Sequence, residues 1–217
     1  MGIVTCPQNK KRFDKFMAIH EEQFKKLEIY YYIILADKSL IGTNQMYRIE
    51  GNYFYCAAEE AYEVLAHKLA IFYCYIYNET KYDFVYKVDD GCMVNIDNLL
   101  NPIYDYGGCL MTPTSNTCHF NKCLNIRFNK QRLDFRHDFH KFHSIDKTKL
   151  KNIIDIRYAG GGYGYGLSRT ALSNIQKYLK HILSIKLSYE DVIFGQIMYL
   201  SDIKCVPARI GSYHKVE

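Results

Sequence analysis

Apolar positions in the first ninety residues form short continuous runs separated by stretches with helical spacing. Continuous runs occur at 2–5, 29–36 and 83–88, as expected of strands that are covered on both faces of a sheet. Between these runs, positions 13–24 and 57–74 place apolar side chains along one face of a helix. The pattern therefore predicts strand, helix, strand, helix and strand in that order.

The second half of the chain has a less regular pattern. Positions 104–155 are rich in Asn, Cys, His and Lys and predict loops with short strands. A glycine-rich turn at 158–168 then leads into a predicted helix at 169–183. Ser168 is a natural N-cap for that helix, because its hydroxyl can accept a hydrogen bond from a free backbone N–H.

A last helix is predicted to open at Ser188, with Asp191 three residues later in a capping-box arrangement. A short strand at 204–207 follows it. Strands that alternate with helices predict an α/β fold, in which a mostly parallel central sheet is flanked by helices on both faces. The length of 217 residues fits a single domain over 1–217.

The composition is that of an ordinary globular protein, with 48% hydrophobic and 24% charged residues. The formal net charge of +5 comes from scattered Lys and Arg residues. Blocks of five or six like charges, which mark nucleic-acid-binding tails, do not occur. The charge is thus compatible with a small anionic substrate, and we expect no nucleic-acid partner.

Eight cysteines occur in a sequence that has no signal-peptide pattern. Disulfides persist mainly in oxidising compartments, so these residues are interpreted as reduced thiols in a cytoplasmic protein. No stretch approaches the roughly 18 apolar residues of a membrane-spanning helix. We therefore expect no membrane span, and the sequence gives no indication of the oligomeric state.

An acidic pair, Asp89-Asp90, directly follows the predicted strand at 83–88. Ligands of open α/β sheets bind beyond the carboxyl ends of the strands. Adjacent carboxylates at such a place suit Mg²⁺ or Mn²⁺, which prefer oxygen ligands and often share them with substrate phosphates. A structural interpretation stays open, since Asp90 and Gly91 are also common turn residues.

Two further segments could contribute to a site. Glu190 and Asp191 lie in the first turn of the last predicted helix, where carboxylates also stabilise the helix dipole. The glycines at 160–166 permit a ligand to approach the backbone closely, and the tyrosines between them could lie against a sugar ring. Glycine runs also mark ordinary tight turns, so both alternatives remain.

A third cluster has nearly the spacing of a Cys2His2 zinc finger and consists of Cys118, Cys123, His137 and His143. Zinc fingers are autonomous units between linkers, whereas this cluster is a single copy inside a predicted α/β domain. A solvated loop is the alternative interpretation of these histidines.

Five short segments resemble, in the same order and at similar spacing, the β-1,3-galactosyltransferase family of inverting GT-A glycosyltransferases. This family also includes β-1,3-N-acetylglucosaminyltransferases and the Fringe type. The segments are VTCPQNKKR at 4–12, LAHK at 65–68, KVDDGCMVN at 87–95, YAGGGYGYGLS at 158–168 and YEDV at 189–192.

The resemblance implies a GT-A-like, Rossmann-related fold and transfer of a hexose or N-acetylhexosamine from a UDP-sugar to a glycan acceptor. It implies Mn²⁺ or Mg²⁺ as cofactor and Asp191 as the catalytic base that deprotonates the acceptor hydroxyl. The residues implied to bind the donor nucleotide are Thr5, Arg12, Lys68, Asp89 and Asp90. Those implied to contact the acceptor or sugar are Gly161, Gly162, Tyr163 and Glu190.

The sequence departs from the family at one position of the acidic motif. Gly91 stands where the family usually has its last Asp, so Asp89 or Asp90 must substitute as metal ligand or metal binding is weakened. His214, near the C-terminus, is the expected late ligand, giving Asp89, Asp90 and His214 as the metal set.

Two other functions remain open at this stage. One is a decayed transferase that binds a nucleotide or glycan without turnover, and the other is a zinc-containing nucleic-acid-binding protein. Because the membrane anchor and disulfides of the Golgi members are absent from the sequence, we expect a cytoplasmic enzyme of a microbe or a large DNA virus.

Overall fold

A mixed sheet of eight strands forms the centre of the fold. The structure is a computed structural model, and it describes residues 1–61, 64–100, 102–111, 156–184 and 189–213. Two small two-stranded sheets and five helices complete the described part of the chain.

The strands and helices have the following bounds. The strands are β1 Gly2–Val4, β2 Tyr32–Ala36, β3 Tyr47–Glu50, β4 Tyr53–Cys56, β5 Phe84–Asp89, β6 Cys92–Val94, β7 Tyr106–Gly108, β8 Leu110–Met111, β9 Tyr158–Ala159, β10 Tyr165–Ser168, β11 Val206–Pro207 and β12 Gly211–Tyr213. The helices are α1 Lys10–Lys26, α2 Leu65–Glu79, α3 Arg169–Lys177, α4 Leu179–Ser184 and α5 Glu190–Leu200.

The central sheet has the strand order β11-β7-β10-β5-β1-β2-β4-β3. Strands β1, β2, β4 and β5 pair in parallel, as do β7 and β11. Only β10 and the edge strand β3 pair antiparallel to their neighbours. The sheet is therefore mostly parallel, and the carboxyl ends of β1 and β5 lie side by side, with Val4 paired to Asp89.

Helices pack on both faces of the sheet, as the alternating pattern predicts. Successive side chains of β1 point to opposite faces, so that Ile3 joins one apolar cluster and Val4 the other. The cluster around Ile3 includes Phe16 and Phe24 of α1. The cluster around Val4 includes most of α2 and the apolar faces of α3 and α5.

Two helix predictions differ from the structure. Helix α2 begins at Leu65 rather than at 57, because the segment after β4 is a loop in which Glu60 accepts a hydrogen bond from the backbone N–H of Ala36. The helix predicted at 169–183 is interrupted at Tyr178, which ends α3. A shift of a few residues at helix boundaries leaves the predicted layers unchanged.

The predicted caps have different outcomes. Ser168 is the N-cap of α3, and its hydroxyl accepts a hydrogen bond from the N–H of Ala171, as predicted. Ser188 lies outside the described residues, and α5 begins at Glu190 with Tyr189 as N-cap. Most of the irregular middle, 112–155, is also outside the described residues. Nowhere in the described ranges is there a helix long and apolar enough to cross a membrane.

Candidate active site

The candidate site lies where the carboxyl ends of β1 and β5 meet the glycine-rich turn and the start of α5. Thr5 directly follows β1, and Asp90 directly follows β5. Because β1 and β5 are parallel neighbours, the two residues lie side by side at the edge where α/β sheets bind ligands. Arg12, which bonds to Asp90, and Lys87, which pairs with Asp89, lie at the same edge.

Asp90 is buried, with 1% of its surface exposed, and protein groups occupy both of its carboxylate oxygens. The Thr5 hydroxyl donates to Oδ2 at 2.6 Å, and Arg12 Nε donates to Oδ1 at 2.7 Å. A second guanidinium nitrogen of Arg12 also forms an ion pair with Oδ1. Burial raises the pKa of Asp90 above its ordinary value, although the hydrogen bonds from Thr5 and Arg12 oppose that rise. Asp90 therefore fixes the Arg12 guanidinium.

Asp89 is the more accessible member of the acidic pair. Its side chain is 29% exposed, and its Oδ1 forms an ion pair with Lys87 Nζ at 2.7 Å. Of the two carboxylates that the sequence assigns to a metal, only that of Asp89 reaches solvent to an appreciable extent. The two adjacent acids thus have different environments.

Lys87 connects the two acidic motifs, which are about a hundred residues apart in sequence. Its buried Nζ lies 2.7 Å from Asp89 Oδ1 and 3.1 Å from Glu190 Oε1. It also donates to the Gly161 carbonyl at 2.9 Å. Burial alone would lower the pKa of Lys87, but the Asp89 and Glu190 carboxylates outweigh that effect and raise it. Lys87 thus stays cationic and holds β5, the glycine-rich turn and α5 together.

Asp191 is held in place by two backbone groups. The N–H of Gly161 donates to Oδ2 at 3.0 Å, and the N–H of Val192 donates to Oδ1 at 2.8 Å. Burial and then the Glu190 carboxylate raise the pKa of Asp191 to about 7, against the opposing effect of these hydrogen bonds and of Lys87. Asp191 as a residue is partly exposed. A carboxylate with these properties can accept a proton near neutral pH.

The glycine-rich turn contributes backbone groups to the hydrogen-bond network of the site. A Cβ on Gly161 would overlap Oε1 of Glu190, so this position needs glycine for close packing. Gly162 is partly buried, and the Tyr163 side chain is 38% exposed. Gly161 therefore belongs to the inner hydrogen-bond network, whereas Tyr163 lies at the surface of the turn.

Lys68 supports the site from behind the Thr5 loop. Its buried Nζ donates to the Thr5 carbonyl at 3.1 Å and to Glu60 Oε1 at 2.6 Å. Glu60 and the linking role of Lys87 were not predicted. Lys87 and Glu190 are 103 residues apart, and Lys68 and Glu60 are joined by a loop, so neither pair has a recognisable sequence pattern.

The described residues do not form the predicted metal set by themselves. Among them, no group of three or more His, Cys, Asp or Glu side chains is placed to hold a metal ion. The oxygens of Asp90 are occupied, which leaves Asp89 as the available carboxylate. His214 lies outside the described residues, as do Cys118, Cys123, His137 and His143. The described part of the chain ends at β12. There Tyr213 pairs with Cys92, which lies two residues after Asp90 in sequence.

Comparison with protein families gives one match that extends over most of the chain. The sequence model of the galactosyltransferase family matches residues 48–209, a range that contains both acidic motifs and the glycine-rich turn. Thr5 and Arg12 lie before the matched range. A search of curated proteins finds no match. Members of the galactosyltransferase family commonly use a divalent metal. They act on a nucleotide-sugar donor and a glycan acceptor. On the strength of this match, together with the α/β fold that surrounds the two acidic motifs, the chain belongs to the galactosyltransferase family and is a glycosyltransferase.

Proposed function

We propose that this enzyme is an inverting glycosyltransferase that moves a hexose or N-acetylhexosamine from a UDP-sugar to a hydroxyl group of a glycan acceptor. The observation that supports this most is the placement of Asp191. Two backbone N–H groups hold its carboxylate in the first turn of α5, where the charge of Lys87 also acts on it. A base beside a cationic leaving-group site is what an inverting transfer requires.

The donor nucleotide is proposed to bind at the start of α1. The first turn of this helix contains no acidic residue, and Arg12 lies there with its guanidinium bonded to Asp90. The positive end of the helix dipole attracts anions to a helix N-terminus. Arg12 and the Thr5 loop, which Lys68 stabilises, would therefore contact the diphosphate of UDP.

The chemical step then follows from the base. The Asp191 carboxylate accepts the proton of the acceptor hydroxyl, and the hydroxyl oxygen forms a bond to the anomeric carbon of the donor. The bond from that carbon to the diphosphate oxygen breaks on the opposite side, and its electron pair leaves with UDP. Attack from the face opposite the leaving group inverts the anomeric configuration.

The acceptor is proposed to lie along the glycine-rich turn. Gly162 and the exposed ring of Tyr163 offer a surface against which a sugar can stack. Glu190 was expected to contact the acceptor directly, but its Oε1 is 3.1 Å from Lys87 Nζ. We therefore propose that Glu190 orients the base Asp191 through Lys87 and the helix start.

Mn²⁺ or Mg²⁺ remains the proposed cofactor of the transfer step rather than of nucleotide binding, with a narrower ligand set than the sequence predicts. Asp89 is the proposed carboxylate ligand, and His214 is the proposed second ligand. Asp90 is not proposed as a metal ligand, because its oxygens already bond to Thr5 and Arg12. It affects the metal site only by holding Arg12. Such an ion would add positive charge at the leaving diphosphate. The single domain over 1–217 and the cytoplasmic location likewise remain proposals.

A donor and acceptor screen tests the proposal. Purified enzyme is incubated with a panel of UDP-sugars and glycan acceptors, UDP release is measured, and NMR determines the anomeric configuration of the product. We expect acceptor-dependent UDP release from at least one UDP-hexose or UDP-N-acetylhexosamine, with inversion. Retention of configuration, or transfer only from non-uridine donors, contradicts the proposal.

A further inference from the structure

The side chain missing at Gly91 leaves a space that borders Arg12. A Cβ placed on Gly91 would lie 3.6 Å from Cδ, 3.7 Å from Nε and 3.8 Å from Cζ of Arg12. These are ordinary van der Waals distances, so a Cβ at position 91 meets no steric obstacle. An acidic residue there would lie next to the guanidinium. In this chain the guanidinium itself has access to that space.

Both members of the acidic pair already have a cationic partner from the protein. Asp90 pairs with Arg12, and Asp89 pairs with Lys87. A divalent ion gains affinity from carboxylates whose charge is not otherwise compensated. At this pair, Arg12 and Lys87 compensate that charge. The acidic pair is therefore a poor site for a metal ion in the absence of further ligands.

Arg12 has the properties of a phosphate ligand. The bonds from Nε and a second guanidinium nitrogen to Asp90 fix the plane of the group, while 38% of the side chain stays exposed. Fixed guanidinium groups recognise phosphate oxygens through paired N–H donors. Its position in the first turn of α1 adds the favourable field of the helix N-terminus.

This inference rests on the proposed UDP-sugar donor. We propose that Arg12, which the buried Asp90 holds in place, supplies the positive charge that binds the diphosphate. Because Gly91 has no side chain, the guanidinium stays accessible to the diphosphate. Nucleotide binding therefore does not depend on a divalent metal. The enzyme thus differs from a transferase that binds its donor through a metal held by the last acid of the motif.

Isothermal titration calorimetry with UDP tests this directly. The wild-type enzyme is titrated once in EDTA and once in Mn²⁺, alongside Arg12→Met and Gly91→Asp. We expect the wild-type Kd to differ by less than about threefold between the two conditions. Arg12→Met should weaken binding by at least about tenfold in both, as expected when a charged hydrogen bond is lost. Gly91→Asp should bind weakly in EDTA and regain at least about tenfold affinity with Mn²⁺.

Lys11→Met is the matched control, because it removes one positive charge from the same helical turn at an exposed position. It should change the Kd by less than about threefold, as expected for a screened surface charge. If Arg12→Met does not fold, as judged by circular dichroism, the wild-type comparison and Gly91→Asp decide the question.

The outcomes separate the two proposals. UDP binding that disappears in EDTA and returns with Mn²⁺ overturns the inference while the UDP donor stands. Unchanged affinity in a folded Arg12→Met also overturns it. No UDP binding by the wild type in either condition contradicts the UDP donor, and the inference is overturned with it.

Discussion

Gly161 contributes to the site through its two backbone groups. Its N–H donates to Asp191, and its carbonyl accepts from Lys87. Because there is no room for a Cβ beside Glu190, the position accepts only glycine without displacement of the acidic motif. The glycine thus sets the distance between the base and the buried lysine.

Gly161→Ala should lower kcat much more than it changes UDP affinity. The added methyl group would push Glu190 and the start of α5 away from the turn, and a small misplacement of a base costs on the order of 10²-fold in rate. Steady-state UDP release gives kcat, and calorimetry gives the Kd for UDP. A folded variant with wild-type kcat would contradict the placement of the base.

The rate should depend on pH through Asp191. Its pKa is raised to about 7, and only the deprotonated form can accept the hydroxyl proton. The value of kcat/KM should therefore rise with pH, about tenfold per unit below the pKa, and level off above it. The pH profile of acceptor-dependent UDP release between pH 5 and 9 measures this. A profile that is flat across pH 7 rules out this carboxylate as the titrating base.

At the level of secondary structure, local patterns predicted β1, β2 and β5 but missed β3 and β4, and they placed β10 in a turn. They were also insufficient for the helix ends. The apolar run before Asp89-Asp90 predicted β5, and Ser168 predicted the start of α3. The start of α2 was wrong, because the Ala36 N–H binds Glu60 across the chain and keeps that segment in a loop. Contacts between distant segments, such as Lys87 with Glu190, have no local sequence signal.

Ser168→Ala should destabilise the enzyme by about 1 kcal/mol, because it removes the N-cap of α3. The hydroxyl also donates to Asp105, which links α3 to the segment before β7. Urea unfolding followed by circular dichroism measures the change. Ser173→Ala is the control on the same helix, where the hydroxyl donates to the Thr170 carbonyl at an exposed position. Equal effects of the two substitutions would argue against the cap.

Across the whole molecule, buried lysines join the layers of the fold to the site. Lys68 of α2 bonds to the Thr5 carbonyl after β1 and to Glu60 in the loop before the helix. Lys87 of β5 joins the sheet to α5. The site thus depends on pairs that form only when the sheet and helices are assembled.

Lys68→Met should lower the free energy of unfolding by about 3 kcal/mol, because it removes one partner of a largely buried ion pair. Lys25→Met is the matched control, since Lys25 pairs with Glu21 on the exposed face of α1 and such pairs contribute little to stability. Chemical denaturation of both variants gives the comparison. A loss for Lys68→Met no larger than for Lys25→Met would show that this pair does not support the fold.

The role of Asp191 as base is the central claim, and acceptor-dependent UDP release by Asp191→Asn tests it most directly. The amide keeps the size of the side chain but cannot accept the hydroxyl proton. We expect kcat to fall by about 10²–10⁴-fold, with the Kd for UDP and the thermal stability close to those of the wild type. A folded Asp191→Asn enzyme that keeps the wild-type rate would contradict the claim.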